Sequence, residues 1–172
     1  MIILGIDPGL NATGYGVITA EADRLQIIAA GVITPPAKQP ISRRLQQLHE
    51  ALDRIIAARR PTLMAIEALF THHQYLTTAA LMAHARGVAC LAAAQHQLRL
   101  VEYLPTRVKK AVTGSGAASK QQISKAVGMW LGVDASEWAS DVTDALALAI
   151  THAHVAGSQA GLPSGAAMAE VG

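Results

Sequence analysis

Residues 2–6, Ile-Ile-Leu-Gly-Ile, form an uninterrupted apolar run, and this run constrains the fold more than any other feature of the chain. A strand with one solvated face alternates apolar and polar residues, whereas a continuous run is typical of a strand buried on both faces. The run ends at a carboxylate, Asp7, after which Pro8 and Gly9 turn the chain away from the core. The sequence therefore predicts a covered sheet with an acidic side chain at one strand end.

The remaining sequence predicts four more strands and several helices. The strands are expected over residues 14–19, 24–34, 62–67 and 98–104. The helices are expected over 41–60, about 74–95, 105–112, about 120–130 and 141–154. The fold class is thus α/β, a mixed five-stranded sheet flanked by helices in one domain over residues 1–156. Residues 157–172 have little to bury and are expected to be a disordered tail.

Composition excludes several classes of protein. Apolar residues make up 51% of the chain and charged residues 15%, which argues against general disorder. No apolar stretch approaches 18 residues, and Asp7 interrupts the first run too early for a signal peptide, so we expect a soluble, cytoplasmic protein. The single cysteine, Cys90, excludes an internal disulfide and a cysteine-based zinc cluster. A net charge of +2 does not by itself imply a nucleic-acid partner.

Four acidic residues lie at the ends of predicted elements. Asp7 and Glu67 each end a strand, and Asp141 and Asp144 are three residues apart at the start of the last helix, on one face. Taken singly, the two helix acids could be an N-cap and a first-turn residue that favour the helix dipole. Four acids at three element ends, in a chain with only 12 acidic residues, favour a functional site.

Clustered carboxylates select hard divalent cations, here Mg²⁺ or Mn²⁺. Two such ions about 3.5–4 Å apart can activate water and stabilise the leaving oxygen of a phosphodiester. Asp7 is the candidate to bridge both ions, with the other three acids beside them. An empty cluster of this kind repels itself and should bind protons or metal avidly.

Basic residues dominate the segment from Arg99 to Lys125. It contains six basic residues and one acidic residue, Glu102, a local balance of +5 (6 − 1). Such a segment fits a phosphate-binding face, although any one of its lysines could belong to an ordinary solvated helix.

The alanine-rich helix expected over residues 74–95 carries apolar residues around its circumference and is expected to be buried on more than one side. Packing under the sheet would explain part of this pattern. A subunit contact on the outer face is the alternative, and the pattern leaves the two open.

Several motifs together resemble the RuvC Holliday junction resolvases, a family of the RNase H-like nuclease superfamily. They are "GIDPG", "TGYGVI", "IEALF", "ARGVA", "EYLPTRVKKAVTGSGAASK" and "DVTDALALAITHAH", and the similarity spans roughly residues 2–155. The resemblance implies a homodimer that binds a four-way DNA junction and nicks two opposing strands, leaving 5′-phosphate and 3′-hydroxyl ends. It also implies partnership with the RuvA–RuvB branch-migration complex.

The resemblance assigns roles to individual residues. The catalytic and metal-binding acids fall on Asp7, Glu67, Asp141 and Asp144, and Lys120 is the basic residue expected near the scissile phosphate. It also places DNA contacts at Phe70, which would stack at the junction centre, and at Lys109 and Lys120, which match the family's two functional lysines. Arg107 and Lys110 are expected contacts because of the basic balance of their segment, and His73 and Tyr75 because their rings can stack on or hydrogen-bond to DNA.

Two groups of histidines depart from simple expectation. After Phe70 the family usually has small residues, a lysine and an asparagine, whereas this chain has "THHQYL" with His72 and His73, which carry less fixed charge at pH 7. His152 and His154 end the last predicted helix, where a cation would suit the helix dipole. His152 lies about two turns beyond Asp144, too far to ligate the same ions.

Three alternative functions compete with this interpretation. The first strand and hairpin also resemble the phosphate-binding hairpin of sugar kinases and actin-like ATPases, but 172 residues cannot hold the two domains that those proteins need. A junction-binding module without catalysis would have lost an acid, and none is lost. An RNase H-like nuclease acting on RNA–DNA hybrids or branched DNA is the remaining alternative.

Overall fold

In the computed structural model, which describes residues 1–21, 24–68 and 76–160, five strands form one mixed sheet. The strands are β1 Ile2–Asp7, β2 Thr13–Glu21, β3 Arg24–Ile33, β4 Leu63–Glu67 and β5 Arg99–Tyr103. Their order in the sheet is β3-β2-β1-β4-β5. Strands β1, β2 and β3 are antiparallel neighbours, whereas β1, β4 and β5 run parallel. The predicted five strands and mixed sheet are therefore confirmed.

Five helices cover the sheet in the described part of the chain. They are α1 Ile41–Arg59, α2 Leu76–Gln95, α3 Pro105–Thr113, α4 Lys120–Leu131 and α5 Ser140–Ala160. Helix α3 begins at a proline, whose missing N–H and fixed φ suit the first turn. Helix α5 continues to Ala160, four residues past the expected domain boundary. Residues 161–172 of the expected tail lie outside the described residues.

The central strand β1 separates two cores, as its apolar run predicts. Ile3 packs with α3, α4 and α5 on one face of the sheet. Leu4 and Ile6 pack with α1 and α2 on the other face. All three side chains are fully buried. The continuous apolar pattern is thus explained by helices on both faces.

Helix α2 packs against the sheet and against α1. Ala85, Ala89 and Ala92 are fully buried against the sheet. On the outer face, Leu91 is 53% exposed, and Ala83 and Gly87 on the same stripe are exposed too. The sheet and α1 thus cover this helix from two directions, the outer face is open in the single chain, and the subunit contact there stays a prediction.

No helix in the described ranges combines the length and the apolar character that crossing a lipid bilayer would require.

Candidate active site

Two of the predicted acids leave the sheet side by side. Asp7 is the last residue of β1 and Glu67 is the last residue of β4. These strands are parallel neighbours whose ladder ends with Ile6 opposite Ile66. Because both strands run in the same direction, the residues that follow this pair emerge at the same edge of the sheet. Ligands commonly bind at this edge in open α/β folds.

Helix α5 lies directly on the sheet because glycines face it. Gly14 is the cross-strand partner of Asp7. A Cβ atom at Gly14 would overlap the backbone carbonyl oxygen of Asp141, and one at Gly5 would overlap that of Ala145. This close approach places the first turn of α5, with Asp141, beside the end of β1. The missing Cβ atoms are therefore part of the reason that the helix acids reach the strand acids.

The four acids influence one another electrostatically. Burial, followed by the negative charges of Asp144, Glu67 and Asp141, raises the pKa of Asp7 from 3.8 to about 7. Burial and then Asp144 raise the pKa of Glu67. Burial also raises the pKa of Asp144, with a further contribution from Asp141. The structure thus brings together all four predicted acids.

Two lysines face this cluster. Lys120 Nζ lies 3.8 Å from Asp144 Oδ2, although its side chain is 76% exposed. The positive charge of Lys120 opposes the rise in pKa of Asp7, Glu67 and Asp144. Lys109 has the same effect on Glu67 and Asp144. Both lysines therefore lie close enough to act on a negatively charged group held at the acids.

Local helix chemistry explains the position of Lys120. It is the first residue of α4, directly after the N-cap Ser119. The Ser119 hydroxyl accepts from the backbone N–H of Gln122, and the Gln122 side chain accepts from the backbone N–H of Ser119. This capping box fixes the start of the helix. Lys120 is thereby held at the edge of the site.

The other predicted DNA contacts lie on α3 or outside the described residues. Arg107 is exposed, and its guanidinium carbon lies 5.5 Å from the centre of the Tyr103 ring. Lys110 lines a groove between α3 and α4. Phe70, His72, His73 and Tyr75 lie outside the described residues.

The loop that follows Asp7 is held by two buried polar side chains. The Thr13 hydroxyl donates to the carbonyl oxygen of Gly9 at 2.6 Å. The Arg44 guanidinium donates to the carbonyl oxygen of Leu10 at 2.9 Å and to the Asn11 side chain at 2.8 Å. These contacts tie the strand end to α1. Neither residue was identified from the sequence, because a buried arginine on a helix looks like any other helix arginine until the fold is known.

The interpretation of His152 as a helix-end cation is wrong. Its Nδ1 lies 2.7 Å from the hydroxyl oxygen of Tyr103 in the core. Burial, and then the charge of Arg99, lower its pKa. His152 is only 3% exposed, and α5 continues for eight residues beyond it, so the dipole argument does not apply. The His154 ring packs edge-on against Trp130, with the ring centres 4.3 Å apart.

The donor set of the acid cluster fits a hard divalent cation. All four candidate ligands offer carboxylate oxygens, and the cost of their mutual repulsion is what a divalent cation would relieve. Within the described ranges, however, no three or more His, Cys, Asp or Glu side chains are already gathered at ligating distances. The four carboxylates therefore interact through their charges without forming a preorganised set of ligands.

The raised pKa of Asp7 predicts how pH affects the metal-free protein. Because the pKa is about 7 in the folded chain and 3.8 ordinarily, the folded state holds a proton that the unfolded state releases between these values. The free energy of unfolding should therefore fall as pH rises from about 4 through 7, by up to about 1.4 kcal/mol per pH unit for one proton.

Urea denaturation in EDTA at pH 5, 6, 7 and 8 measures this slope. Comparison with Asp7→Asn isolates the contribution of Asp7, because the other ionisable groups are common to both proteins. The variant should gain stability relative to wild type as pH rises. Parallel stability curves for the two proteins would contradict the assignment of the shift to Asp7.

Comparisons with known proteins agree with this architecture. Residues 3–152 match the family described as crossover junction endodeoxyribonuclease RuvC. A protein of that name from Rhodopirellula baltica is 47% identical over 148 residues, covering 86% of this chain and 83% of the relative. Another from Alkaliphilus oremlandii is 46% identical over 154 residues, covering 90% and 93%.

A solved structure shows the same fold. It is described as Thermus thermophilus RuvC in complex with Holliday junction substrate and superposes with a TM-score of 0.85 at 29% identity, covering 92% of this chain and 96% of that one. The RNase H-like fold expected from the sequence is confirmed. By sequence and by structure, this chain belongs to the RuvC family of crossover junction endodeoxyribonucleases.

Proposed function

We propose that this protein resolves four-way DNA junctions by hydrolysing a phosphodiester bond at Asp7, Glu67, Asp141 and Asp144. The observation that carries the proposal is the electrostatic coupling of the four acids, which contributes to the rise of the Asp7 pKa to about 7. Family membership supports the choice of substrate, since the related Thermus thermophilus structure is described with a Holliday junction.

The RuvC family implies dependence on a divalent metal. The finer proposal is two Mg²⁺ or Mn²⁺ ions per active site, held by the four acids. When bound, these ions would lower the pKa of an attacking water and neutralise charge on the phosphate. The four acids would bind the ions and orient the phosphate. Carboxylate oxygens would reach one phosphate from the strand ends, at Asp7 and Glu67, and from α5, at Asp141 and Asp144.

The basic residues divide into two proposed roles. Lys120 and Lys109, whose charges act on the acids, would hold the scissile phosphate and stabilise negative charge that develops on it. Arg107 and Lys110, on the exposed part of α3, would contact the backbone farther along the duplex. Such contacts position the DNA without reading its sequence.

The segment between β4 and α2 is proposed to enter the junction. It follows Glu67 directly, so it starts beside the acids. Phe70 would stack on a base, and His73 and Tyr75 would stack or hydrogen-bond nearby. Because histidine replaces fixed positive charge here, junction affinity should depend on pH more than it would with lysine.

Two copies of the chain are proposed to act together, each nicking one strand. The outer face of α2 supports this arrangement, since Leu91 is exposed there. Neighbouring positions on this face are small, including Ala83 and Gly87. An exposed apolar helix face of this kind is typical of an interface. The proposed partners also include the RuvA–RuvB complex, and the proposed location is the cytoplasm.

The test of this function is cleavage of a synthetic four-way junction compared with an RNA–DNA hybrid and a linear duplex. With Mg²⁺ or Mn²⁺, paired nicks with 5′-phosphate ends are expected on the junction. A mobile junction of varied sequence would reveal the preferred cleavage site and cation. Faster cleavage of the hybrid would instead favour the related RNase H-like activity.

Lys120→Ala should slow nicking of bound junction by roughly 10- to 100-fold, because one positive group near the developing charge is removed. Junction binding should change by less than about threefold, since a single exposed phosphate contact contributes modestly. Single-turnover kinetics and gel-shift titrations measure the two effects.

Lys125→Ala is the matched control for Lys120→Ala. Lys125 is also exposed on α4, but unlike Lys120 it is not among the charges that shift the pKa of Asp7, Glu67 or Asp144. It should weaken binding slightly and leave the rate for bound junction unchanged. Equal losses of rate and binding in Lys120→Ala would reassign that lysine to simple phosphate contact.

A further inference from the structure

Arg86 is a buried cation on the face of α2 that packs against the sheet. Only 9% of its surface is exposed. Its neighbours on that face are apolar, and Ala85 and Ala89 are fully buried. Burial of a charge is costly unless the charge is paired and hydrogen-bonded, so an arginine among alanines requires a compensating set of contacts.

The Arg86 guanidinium makes two contacts with the strand ends. One nitrogen donates to the backbone carbonyl oxygen of Glu67 at 2.5 Å. The other lies 2.6 Å from Oε1 of Glu102, whose side chain is 51% exposed. Glu102 lies on β5 opposite Ile66 of β4. A single side chain of α2 thus connects the ends of two neighbouring strands.

The backbone of Glu67 needs such support because it lies past the end of one ladder. The β1–β4 pairs stop at Ile6 and Ile66, one residue earlier. On the other side, the N–H of Ala68 donates to the carbonyl oxygen of Tyr103 at 2.9 Å. The Arg86 contact is made to the carbonyl oxygen of Glu67 itself. Together these two hydrogen bonds hold both ends of the peptide group that follows the acid.

We propose that Arg86 is a positioning residue that holds the backbone of Glu67 so that its carboxylate faces Asp144 and Asp7. The inference rests on the proposed function, which places Glu67 in the active site. The planar guanidinium can donate to the carbonyl oxygen and to a carboxylate at the same time from fixed directions. A lysine would keep the charge and the pairing with Glu102 but could not reproduce this two-partner geometry.

Arg86→Lys tests this role, with Glu102→Gln as the matched control. The lysine variant is expected to slow single-turnover nicking of the junction at least tenfold and to weaken Mn²⁺ binding at least threefold by titration calorimetry. Its affinity for the junction without divalent ions should stay within twofold of wild type. Glu102→Gln removes the ion pair but leaves the contact with Glu67, so it should change each quantity by less than twofold.

Three results would overturn the inference. The first is a folded Arg86→Lys protein that nicks within twofold of the wild-type rate. The second is an equal loss in Arg86→Lys and Glu102→Gln, which would assign the effect to the ion pair. The third is slow nicking with unchanged Mn²⁺ affinity, which a general loss of rigidity would explain.

A second variant covers the case in which Arg86→Lys does not fold. Arg86→Gln combined with Glu102→Gln removes both charges, so neither is left without its partner. Relative to Glu102→Gln, this double variant should show the same losses of nicking rate and Mn²⁺ affinity. An unimpaired double variant would overturn the inference.

Glu67→Gln in the same assays separates the inference from the proposed function. Full nicking by Glu67→Gln would contradict the proposed site. An inactive Glu67→Gln together with an unimpaired Arg86→Lys would contradict only the role of Arg86.

Discussion

Asp7→Asn is expected to reduce nicking of a four-way junction by at least about 10³-fold while junction binding stays within about threefold of wild type. Asp7 is the acid whose pKa is raised by all three of the others, so it lies where their charges converge. Loss of its charge would remove the group best placed to hold a cation against the phosphate. Effects of this size are typical when a charge-stabilising group is removed from an active site.

Single-turnover cleavage and gel-shift binding in Ca²⁺ or EDTA measure the two quantities. Asp53→Asn is a suitable control, since Asp53 lies on α1 and its carboxylate is paired with His96 at 2.7 Å. That variant should nick at a rate close to wild type. Efficient nicking by Asp7→Asn would remove this residue from the mechanism and with it the proposed site.

Gly14→Ala is expected to destabilise the protein by about 3 kcal/mol or more and to impair nicking in the fraction that folds. The added Cβ would overlap the backbone of Asp141 at its carbonyl oxygen and carbonyl carbon. A backbone group cannot rotate away as a side chain can, so α5 must move. Overpacking of a well-packed core usually costs about 1–3 kcal/mol, and a helix shift adds to this. Asp141 and Asp144 would move with the helix.

Gly157→Ala is the matched control, because the glycine lies on the same helix and no atom lies within 4 Å of its added Cβ. Alanine there should leave stability unchanged or raise it by up to about 1 kcal/mol, as expected for an exposed helix position. Urea denaturation and junction cleavage compare the two variants. Wild-type stability and activity in Gly14→Ala would show that the contact between α5 and the sheet is looser than the structure indicates.

The strands and helices could be predicted because their signals are local. The apolar run at residues 2–6, the proline at 105 and the serine before Lys120 each act within a few residues of where they stand. The acids could be predicted because each one ends an element, and carboxyl ends of parallel strands meet at one edge. Their number and their positions at element ends were sufficient to predict a shared site.

Other features depend on contacts between distant parts of the chain. His152 looked like a helix-end cation, but the helix continues past it and Tyr103 lies against it in the core. Arg86 was not identified from the sequence, because its partners are 19 and 16 residues away (86 − 67 and 102 − 86). Contacts over such distances leave no periodic pattern of apolar residues in the sequence.

The sequence by itself determined the succession of strands and helices, the burial of β1 on both faces and the identity of the acids. These properties follow from the polarity and backbone preferences of neighbouring residues. Only the tertiary structure decided that Gly14 admits α5 against the sheet, that burial and the other three acids raise the pKa of Asp7, and that Arg86 contacts the backbone of Glu67. These depend on three-dimensional packing, in which a missing Cβ or a single guanidinium sets distances between residues far apart in the chain.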